Sequence, residues 1–411
     1  MKLIFKLALL VPVIALSACA PAKAPQSRPP QTVLSVLFGQ SNSDPGLEDM
    51  LTDKIRAEFP EVMIDWESVD WGDYFSREMR AKIASGEIPD LIIGKAQDVA
   101  NYEEYGFLHS LPESLSERAS ALALPSVSVN GEVYGLPYNA CYQGVIYNKD
   151  MLESLGIPVP ATASALDQAI ADLKEAGITP FAAHMQESWY LGNVTMQLAM
   201  GRVFNSNPAW GSEFREGKRA FASDDDYPAC LEEVKKIFDN TWPDTMTVDQ
   251  YECARRFANG EAAMCVTGSW FMQALGSMSP DMNVGIFPYP NEEGTAKLLF
   301  EPNLTFMVNG QGGNRDLAVE VVGSIAADQK LAKDICDFTQ TESLLKGVES
   351  DSLPQLRSDI TAWMHADVTL GNNQMLWQFQ YSLALKTREW LEGETVFGEL
   401  LRYADDNRAL S

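Results

Sequence analysis

The stretch Val127–Pro158, VSVNGEVYGLPYNACYQGVIYNKDMLESLGIP, passes from one strand pattern to the next with hardly any linker. Asn130 and Gly131 form a hairpin signal. An extended apolar run follows, and a charged helix start comes directly after it. Such a junction in mid-chain raises the question of whether the chain crosses here between two lobes, for which Pro137–Asn139 would suit a hinge rotation. The alternative is a pair of ordinary loops inside one domain.

The size and charge of the chain agree with a two-domain soluble protein. Its 411 residues exceed an average domain of roughly 100–200 residues. Hydrophobic residues make up 46% and charged residues 21%, which is ordinary for a globular chain. A net charge of -26 argues against nucleic acid or anionic lipid as a binding partner, because both would be repelled.

The N-terminus has the pattern of an export signal. Lys2 and Lys6 precede an apolar run that is too short to span a bilayer and ends in Leu16-Ser17-Ala18-Cys19, which resembles a bacterial lipobox. We therefore expect a signal peptide at 1–18, a lipidated Cys19 and a Pro-rich tether at 19–31, on a protein exported and anchored to a bacterial membrane. Loss of the two lysines makes the mature net charge about -28. The alternative is a plain signal peptide with a chance cysteine.

The hydrophobic pattern after the tether alternates between strands and helices. Thr32–Phe38, Val62–Trp66 and the LIIG run at 91–94 are typical of strands, and amphipathic helices separate them. This order predicts βαβ units with a parallel sheet. Farther along, the segment 315–338 favours one or two helices, although 319–327 also fits a strand.

Metal and cofactor sites have no support in the sequence. No C-x-x-C pair occurs, and the three histidines lie far apart, so we expect no metal and no cofactor. The five cysteines after Cys19 could form up to two disulfides. We expect instead that most of them are small buried residues.

Several segments together resemble one protein family. They are AKIASGEIPDLIIG, GEVYGLPY followed by YNKD, FANGEAAMCVTGSW, and VGIFPYPNEEG. This combination is similar to the extracellular solute-binding proteins of ABC importers, in the carbohydrate-binding branch that includes maltose-binding protein.

The resemblance implies a type II fold, with two α/β lobes that each carry a mostly parallel sheet flanked by helices. The lobes would comprise 32–139 with 303–340 and 140–302 with 341–411, joined by a hinge of several segments. It also implies a monomer that captures a sugar or oligosaccharide between the lobes, performs no catalysis, and delivers the ligand to an ABC permease.

The expected ligand contacts come from strand ends, the crossing and the family pattern. In open α/β sheets, ligands bind beyond the carboxyl ends of the strands. These considerations select Gln40, Asn42, Lys95, Gln97, Asp98, Asn139 and Gln143 as polar contacts. By resemblance we add the ligand-stacking Trp270, then Glu187 with Trp189, and Trp377 with Asn372. Gly94 stands where maltose-binding protein carries a stacking tryptophan, so one subsite is expected to be altered or empty.

Two other classes of function remain as alternatives. The same fold would also suit a polyamine or a peptide. A surface-tethered glycan-acting enzyme would need two carboxylates flanking the scissile bond, and with 57 Asp plus Glu such pairs are uninformative. No G-x-S-x-G, H-E-x-x-H or P-loop motif occurs. The placed tryptophans favour sugar, whose C–H face packs on an aromatic ring.

Overall fold

The computed structural model describes residues 32–40, 45–71, 73–349, 352–364, 369–370 and 374–411. Cys19, the expected signal peptide and tether, Asn42 and Asn372 lie outside these residues. The strands are β1 (Thr32–Gly39), β2 (Val62–Val69), β3 (Leu91–Gly94), β4 (Ser128–Val129), β5 (Glu132–Val133), β6 (Leu136–Pro137), β7 (Asn139–Asn148), β8 (Thr179–Ala182), β9 (Ala262–Gly268), β10 (Val284–Phe287), β11 (Leu299–Pro302), β12 (Thr305–Val308), β13 (Glu342–Ser343) and β14 (Thr369–Leu370).

Helices make up most of the remaining regular structure. They are α1 (Pro45–Glu58), α2 (Asp73–Ser85), α3 (Val99–Glu104), α4 (Glu113–Ser116), α5 (Lys149–Leu155), α6 (Ala163–Glu175), α7 (Ser188–Ala199), α8 (Trp210–Arg215), α9 (Asp226–Asp239), α10 (Gln250–Ala258), α11 (Phe271–Met278), α12 (Arg315–Ala327), α13 (Gln329–Thr339), α14 (Arg357–Met364), α15 (Trp377–Leu391) and α16 (Phe397–Asp406).

The first lobe is built on a five-stranded sheet in the order β2-β1-β3-β12-β6. Strand β1 pairs in parallel with both β2 and β3, which confirms the βαβ prediction for this part of the chain. Strand β12 returns antiparallel beside β3, and β6 pairs antiparallel with β12. Strand β2 continues to Val69, three residues beyond the predicted end at Trp66.

The alternation of side chains along β1 places a helical layer on each face of this sheet. Val36 and Phe38 belong to a core shared with α1, α12 and α13. Leu37 points to the opposite face and packs with Phe75 and Met79 of α2. Because successive strand residues face opposite sides, a strand that is apolar throughout must be covered on both.

The second lobe contains a seven-stranded sheet in which the long strand β7 is central. The expectation of a mostly parallel sheet is wrong here, because β7 runs antiparallel to β9, β10, β11 and β13. Among the described residues of this second sheet, only β8 with β9 and β11 with β14 pair in parallel. Strand β7 enters this sheet from the other lobe and β11 leaves toward it, so the two must run in opposite directions.

Three segments pass between the two sheets. Strand β6 of the first sheet leads directly into β7 of the second, β11 leads back into β12, and α13 leads into β13. Asn139 joins all three crossings, since its Nδ2 donates to Thr341 Oγ1 (2.8 Å) and its Oδ1 accepts from Leu304 N (2.9 Å). As a proposal, we place the lobe limits at these crossings, after residues 139, 302 and 340.

The segment 315–338 folds as two helices, and the strand alternative for 319–327 is wrong. Helix α12 ends at Ala327 and α13 begins at Gln329. Between them Asp328 caps α13, because its Oδ1 accepts from Leu331 N (3.0 Å).

No helix within the described ranges is both long and apolar enough to cross a bilayer. All five cysteines that the structure describes are buried and free. The expectation of small buried residues is therefore confirmed for these five positions.

Candidate ligand-binding cleft

The carboxyl edge of the first sheet brings together the residues that follow three parallel strands. Gln40 follows β1, Asp70 and Trp71 follow β2, and Lys95 follows β3. The Trp71 ring lies against Gly39, where an added Cβ would approach its Cζ3 to 2.2 Å. Lys95 Nζ lies 4.2 Å from the centroid of the same ring. This edge therefore presents an indole, an ammonium and two polar side chains.

Trp71 and Asp70 were missed by sequence reasoning because β2 was ended too early. With its end at Trp66, the rule about strand-following residues does not reach positions 70 and 71. The polar residues Glu67 and Ser68 are typical of a loop, yet they pair in register with β1, and the pairing continues to Gly39–Val69. Register of this kind is set by long-range pairing, so local pattern is a poor guide to it.

Gln97 and Glu301 connect the first lobe to the crossing strand and to the second lobe. With its amide oriented to suit both neighbours, Gln97 donates to Glu301 Oε1 (3.2 Å) and accepts from Trp377 Nε1 (2.9 Å). Gln143 donates to the other oxygen, Glu301 Oε2. Burial raises the pKa of Glu301, although the charge of Lys95 and the Gln143 hydrogen bond oppose the rise. Glu301 lies beside the predicted lobe limit at residues 302–303, but the sequence did not single it out.

Asp98 is the most deeply buried acid at this edge. Its side chain is 5% exposed, and its Oδ2 has no hydrogen-bond partner among the described residues. Burial raises the pKa of Asp98 to about 7, with the charge of Lys95 opposing the rise. A substantial share of this carboxyl is therefore protonated near neutral pH, when it is able to donate as well as accept a hydrogen bond.

On the second lobe, Trp270 is held in the same way as Trp71. Its ring lies against Gly268, where an added Cβ would approach Trp270 Cζ3 to 2.0 Å. Gly268 ends β9 and pairs with Gln143 on β7, so the indole and the amide share one edge of the sheet. Trp270 Nε1 and Gln143 Oε1 are buried without a hydrogen-bond partner in the described part of the chain.

Glu187 and Trp189 lie at the start of α7, with a largely structural set of contacts. Glu187 Oε2 is 2.7 Å from His184 Nδ1 and accepts from Gln250 N (3.0 Å). Trp189 packs edge-on against His184, with ring centroids 5.1 Å apart. Burial lowers the pKa of His184, which favours its neutral form, although Glu187 opposes this effect.

Glu187 also faces the first lobe. Asp70 is half-buried, and this burial raises its pKa, with the charge of Glu187 adding to the rise. Helix α2 of the first lobe and α15 of the second also approach each other. The two carboxylates therefore lie near one another across the cleft.

Two predicted positions have a role other than the one expected. Asn139 is fully buried, and its donor and acceptor are both engaged within the crossing segments, so its side chain holds the hinge together. Gly94 points into the core, because an added Cβ would lie 2.9 Å from Met307 Cε and 3.1 Å from Phe75 Cζ. A tryptophan at position 94 would clash there, and Trp71 supplies the indole at this edge instead.

The structure thus gathers Lys95, Gln97, Asp98, Gln143, Trp270 and Trp377 around the crossing strands. Gln40 follows Gly39 at the edge that carries Trp71, and Glu187 and Trp189 lie at the start of α7. Within the described ranges no group of three or more His, Cys, Asp or Glu side chains has an arrangement that could hold a metal ion.

Two α/β lobes, joined by three crossings and presenting polar and aromatic side chains to each other, define a hinged ligand-binding protein. Residues 40–329 match the family of bacterial extracellular solute-binding proteins, and the chain belongs to that family. The predicted family and two-lobed fold class are confirmed. Membership of this extracellular family implies that the protein is exported.

Several of the proteins similar to this chain are named as sugar-binding proteins. The multiple sugar-binding protein of Streptococcus mutans is 25% identical over 288 residues, covering 68% of this chain and 67% of that protein. The melibiose/raffinose/stachyose-binding protein MelE of Bacillus subtilis is 23% identical over 237 residues, covering 53% and 52%. Among solved structures, a sugar transporter protein of Bacillus licheniformis in complex with stachyose has a TM-score of 0.78 at 17% identity, covering 92% of this chain and all (100%) of that one.

Proposed function

We propose that this protein captures a saccharide between its two lobes and delivers it to the membrane permease of an ABC importer. The observation that carries the proposal is the pair of indoles seated on glycines, Trp71 on Gly39 and Trp270 on Gly268, at the edges of the two sheets. A pyranose has an apolar C–H face that packs on such a ring. The names of the similar proteins support the same ligand class.

The polar surroundings of the two rings suit a ligand that is rich in hydroxyl groups. Four buried atoms near the rings lack a hydrogen-bond partner among the described residues, namely Gln40 Oε1, Asp98 Oδ2, Gln143 Oε1 and Trp270 Nε1. Each buried unpaired group costs about 1–3 kcal/mol, which a correctly placed hydroxyl would recover. Three of these atoms are oxygen acceptors and Trp270 Nε1 is a donor. A sugar hydroxyl both donates and accepts hydrogen bonds, so it pairs with either kind.

Closure of the lobes is the proposed working motion. The proposed ligand contacts come from both lobes, and hydrogen bonds of Gln97 with Glu301 and Trp377 link the lobes to each other. A ligand held by both lobes binds the closed form more tightly than the open form. It therefore shifts the equilibrium toward the closed form, and the size of the shift is set by the ratio of its two affinities. The closed form would then dock on the permease as a monomer.

No chemical change of the ligand is part of this proposal. Incubation of the purified protein with labelled oligosaccharides should give no hydrolysis products. Hydrolysis that disappears in Glu301→Gln would contradict the proposal and favour a glycan-acting enzyme.

Anchoring through Cys19 completes the proposal. The lipobox-like sequence Leu16–Cys19 predicts that the mature protein carries a lipid on this cysteine. Cys19→Ser should release the protein from the membrane fraction. A variant that stays membrane-bound would contradict the anchor.

The binding test is a thermal-shift screen of the purified protein against raffinose, stachyose, maltotriose, xylotriose, simple monosaccharides, spermidine and short peptides. A ligand at a hundredfold excess over its Kd stabilises the folded state by about 2.7 kcal/mol. We expect a shift with a saccharide and a roughly 30-fold weaker Kd in Trp270→Ala.

The matched control is Trp390→Ala, since Trp390 packs on Phe397 (4.8 Å between ring centroids) in the helical layer. This variant should lose stability but keep its affinity. Shifts with spermidine or peptides alone would replace the saccharide by those ligands, whereas no shift with any probe would contradict the proposed capture function.

A further inference from the structure

Acidic groups outnumber basic groups at the cleft. The charge of Glu187 on the second lobe acts on Asp70 of the first lobe, while Asp98 and Glu301 both lie within range of the charge of Lys95. Two of these four carboxyl groups, Asp98 and Glu301, therefore lie near the ammonium of Lys95. The whole chain is acidic, at -26, so its long-range field has the same sign as the cleft.

The ammonium of Lys95 is already engaged by protein groups. Lys95 Nζ donates to Asn303 Oδ1 and lies over the Trp71 ring. Its charge also acts on Asp98 and Glu301, whose negative charges offset it. An anionic ligand would have to compete with these groups for Lys95.

Two buried acceptors have no protein donor, which distinguishes this cleft from a solvated acidic surface. Asp98 is 5% exposed and Gln143 is 1% exposed, and Asp98 Oδ2 and Gln143 Oε1 lack partners among the described residues. Gln143 Nε2 is held by Glu301, so its Oε1 is oriented as an acceptor. Gln143 Oε1 calls for a donor on the ligand, such as a hydroxyl or an ammonium. The ionised fraction of Asp98 does the same, and it repels a carboxylate or a phosphate.

We propose that the cleft selects saccharides that carry no negative charge, and that Asp98 and Glu301 are the residues that reject uronic acids and phosphorylated sugars. The inference rests on the proposed capture of a saccharide. Like charges brought together in a partly desolvated site weaken binding strongly, and we expect on the order of 100-fold for one ligand carboxylate.

The test compares each neutral saccharide that binds in the screen with its C6-carboxylate form, prepared by oxidation of the primary hydroxyl. Calorimetry of the purified protein with raffinose or maltotriose and the matching carboxylate measures the ratio of the two Kd values. We expect the carboxylate to bind at least 30-fold more weakly. In Asp98→Asn and in Glu301→Gln, measured separately, this ratio should fall at least threefold.

The matched control is Asp316→Asn, which removes a carboxylate that is 82% exposed at the start of α12. Its Kd ratio should equal that of the unsubstituted protein. Melting temperatures of all variants establish that they fold, and the two cleft variants provide independent readings if one does not.

The outcomes separate the inference from the function beneath it. Equal or tighter binding of the carboxylate form overturns the inference and leaves saccharide capture intact. An unchanged ratio in both folded cleft variants overturns the role of Asp98 and Glu301. A screen in which no neutral saccharide binds overturns the proposed function and the inference together.

Discussion

Asp98→Asn should stabilise the protein at alkaline pH and change little at acidic pH. Burial raises the pKa of Asp98 from 3.8 to about 7 in the folded state, against only partial opposition from Lys95. At 1.36 kcal/mol per pKa unit, this difference of about 3 units corresponds to about 4 kcal/mol. The folded state binds the proton more tightly than the unfolded state does, so this carboxyl reduces stability progressively as the pH rises from about 4 to 7.

The asparagine variant lacks this penalty because its amide is neutral at every pH. The free energy of unfolding of the variant minus that of the parent should be small at pH 4 and increase by up to about 4 kcal/mol at pH 8. Taking the difference also removes the general repulsion of a chain with net charge -26. Urea titrations of both proteins at pH 4, 6 and 8 measure this difference in the free energy of unfolding.

The exposed carboxylate of Asp316 provides the control for this experiment. Asp316→Asn should change the free energy of unfolding by less than about 0.5 kcal/mol at all three pH values, as surface substitutions usually do. If the difference for Asp98→Asn is independent of pH, the carboxyl is not desolvated in the folded state and the reasoning fails.

Three further predictions concern the rings, the hinge and the cysteines. Gly39→Ala and Gly268→Ala place a Cβ about 2 Å from an indole ring and should weaken saccharide binding at least tenfold in calorimetry, whereas Gly313→Ala, with open space around it, should not. Asn139→Ala removes hydrogen bonds that join the three crossings, and urea unfolding should show a loss of about 1–3 kcal/mol, with a smaller loss marking those bonds as dispensable. The five described cysteines are buried and should react with a thiol reagent only after denaturation, so rapid labelling of the native protein would contradict their burial.

Much of the fold could be predicted from local pattern. The apolar β-branched run of β1 was predicted close to its observed limits, and the amphipathic helices predicted between the first three strands are α1 and α2. Such elements are encoded by residue spacing and capping, which need no distant contact to recognise. The motifs that resemble the solute-binding family likewise lie in contiguous segments.

The direction of the strands in the second sheet and the full length of β2 were not predictable in this way. Both depend on pairing between residues far apart in the chain, as with Gly39–Val69 and Gln143–Gly268. The same limit affected the cleft, where Trp71 and Glu301 have ordinary sequence contexts. Their position became evident only from the neighbours Gly39, Gln97 and Gln143.

The sequence by itself determined the α/β class, the two-lobed family and most strand-following polar residues, because these follow from local periodicity and contiguous motifs. Only the tertiary structure decided which of those residues meet. It showed Asn139 in the hinge and Trp71 at the cleft edge, and it brought the carboxyl groups of Asp98 and Glu301 near Lys95. The physical reason is that burial, hydrogen-bond partners and charge proximity arise from contacts between distant segments, such as Lys95 with Asn303.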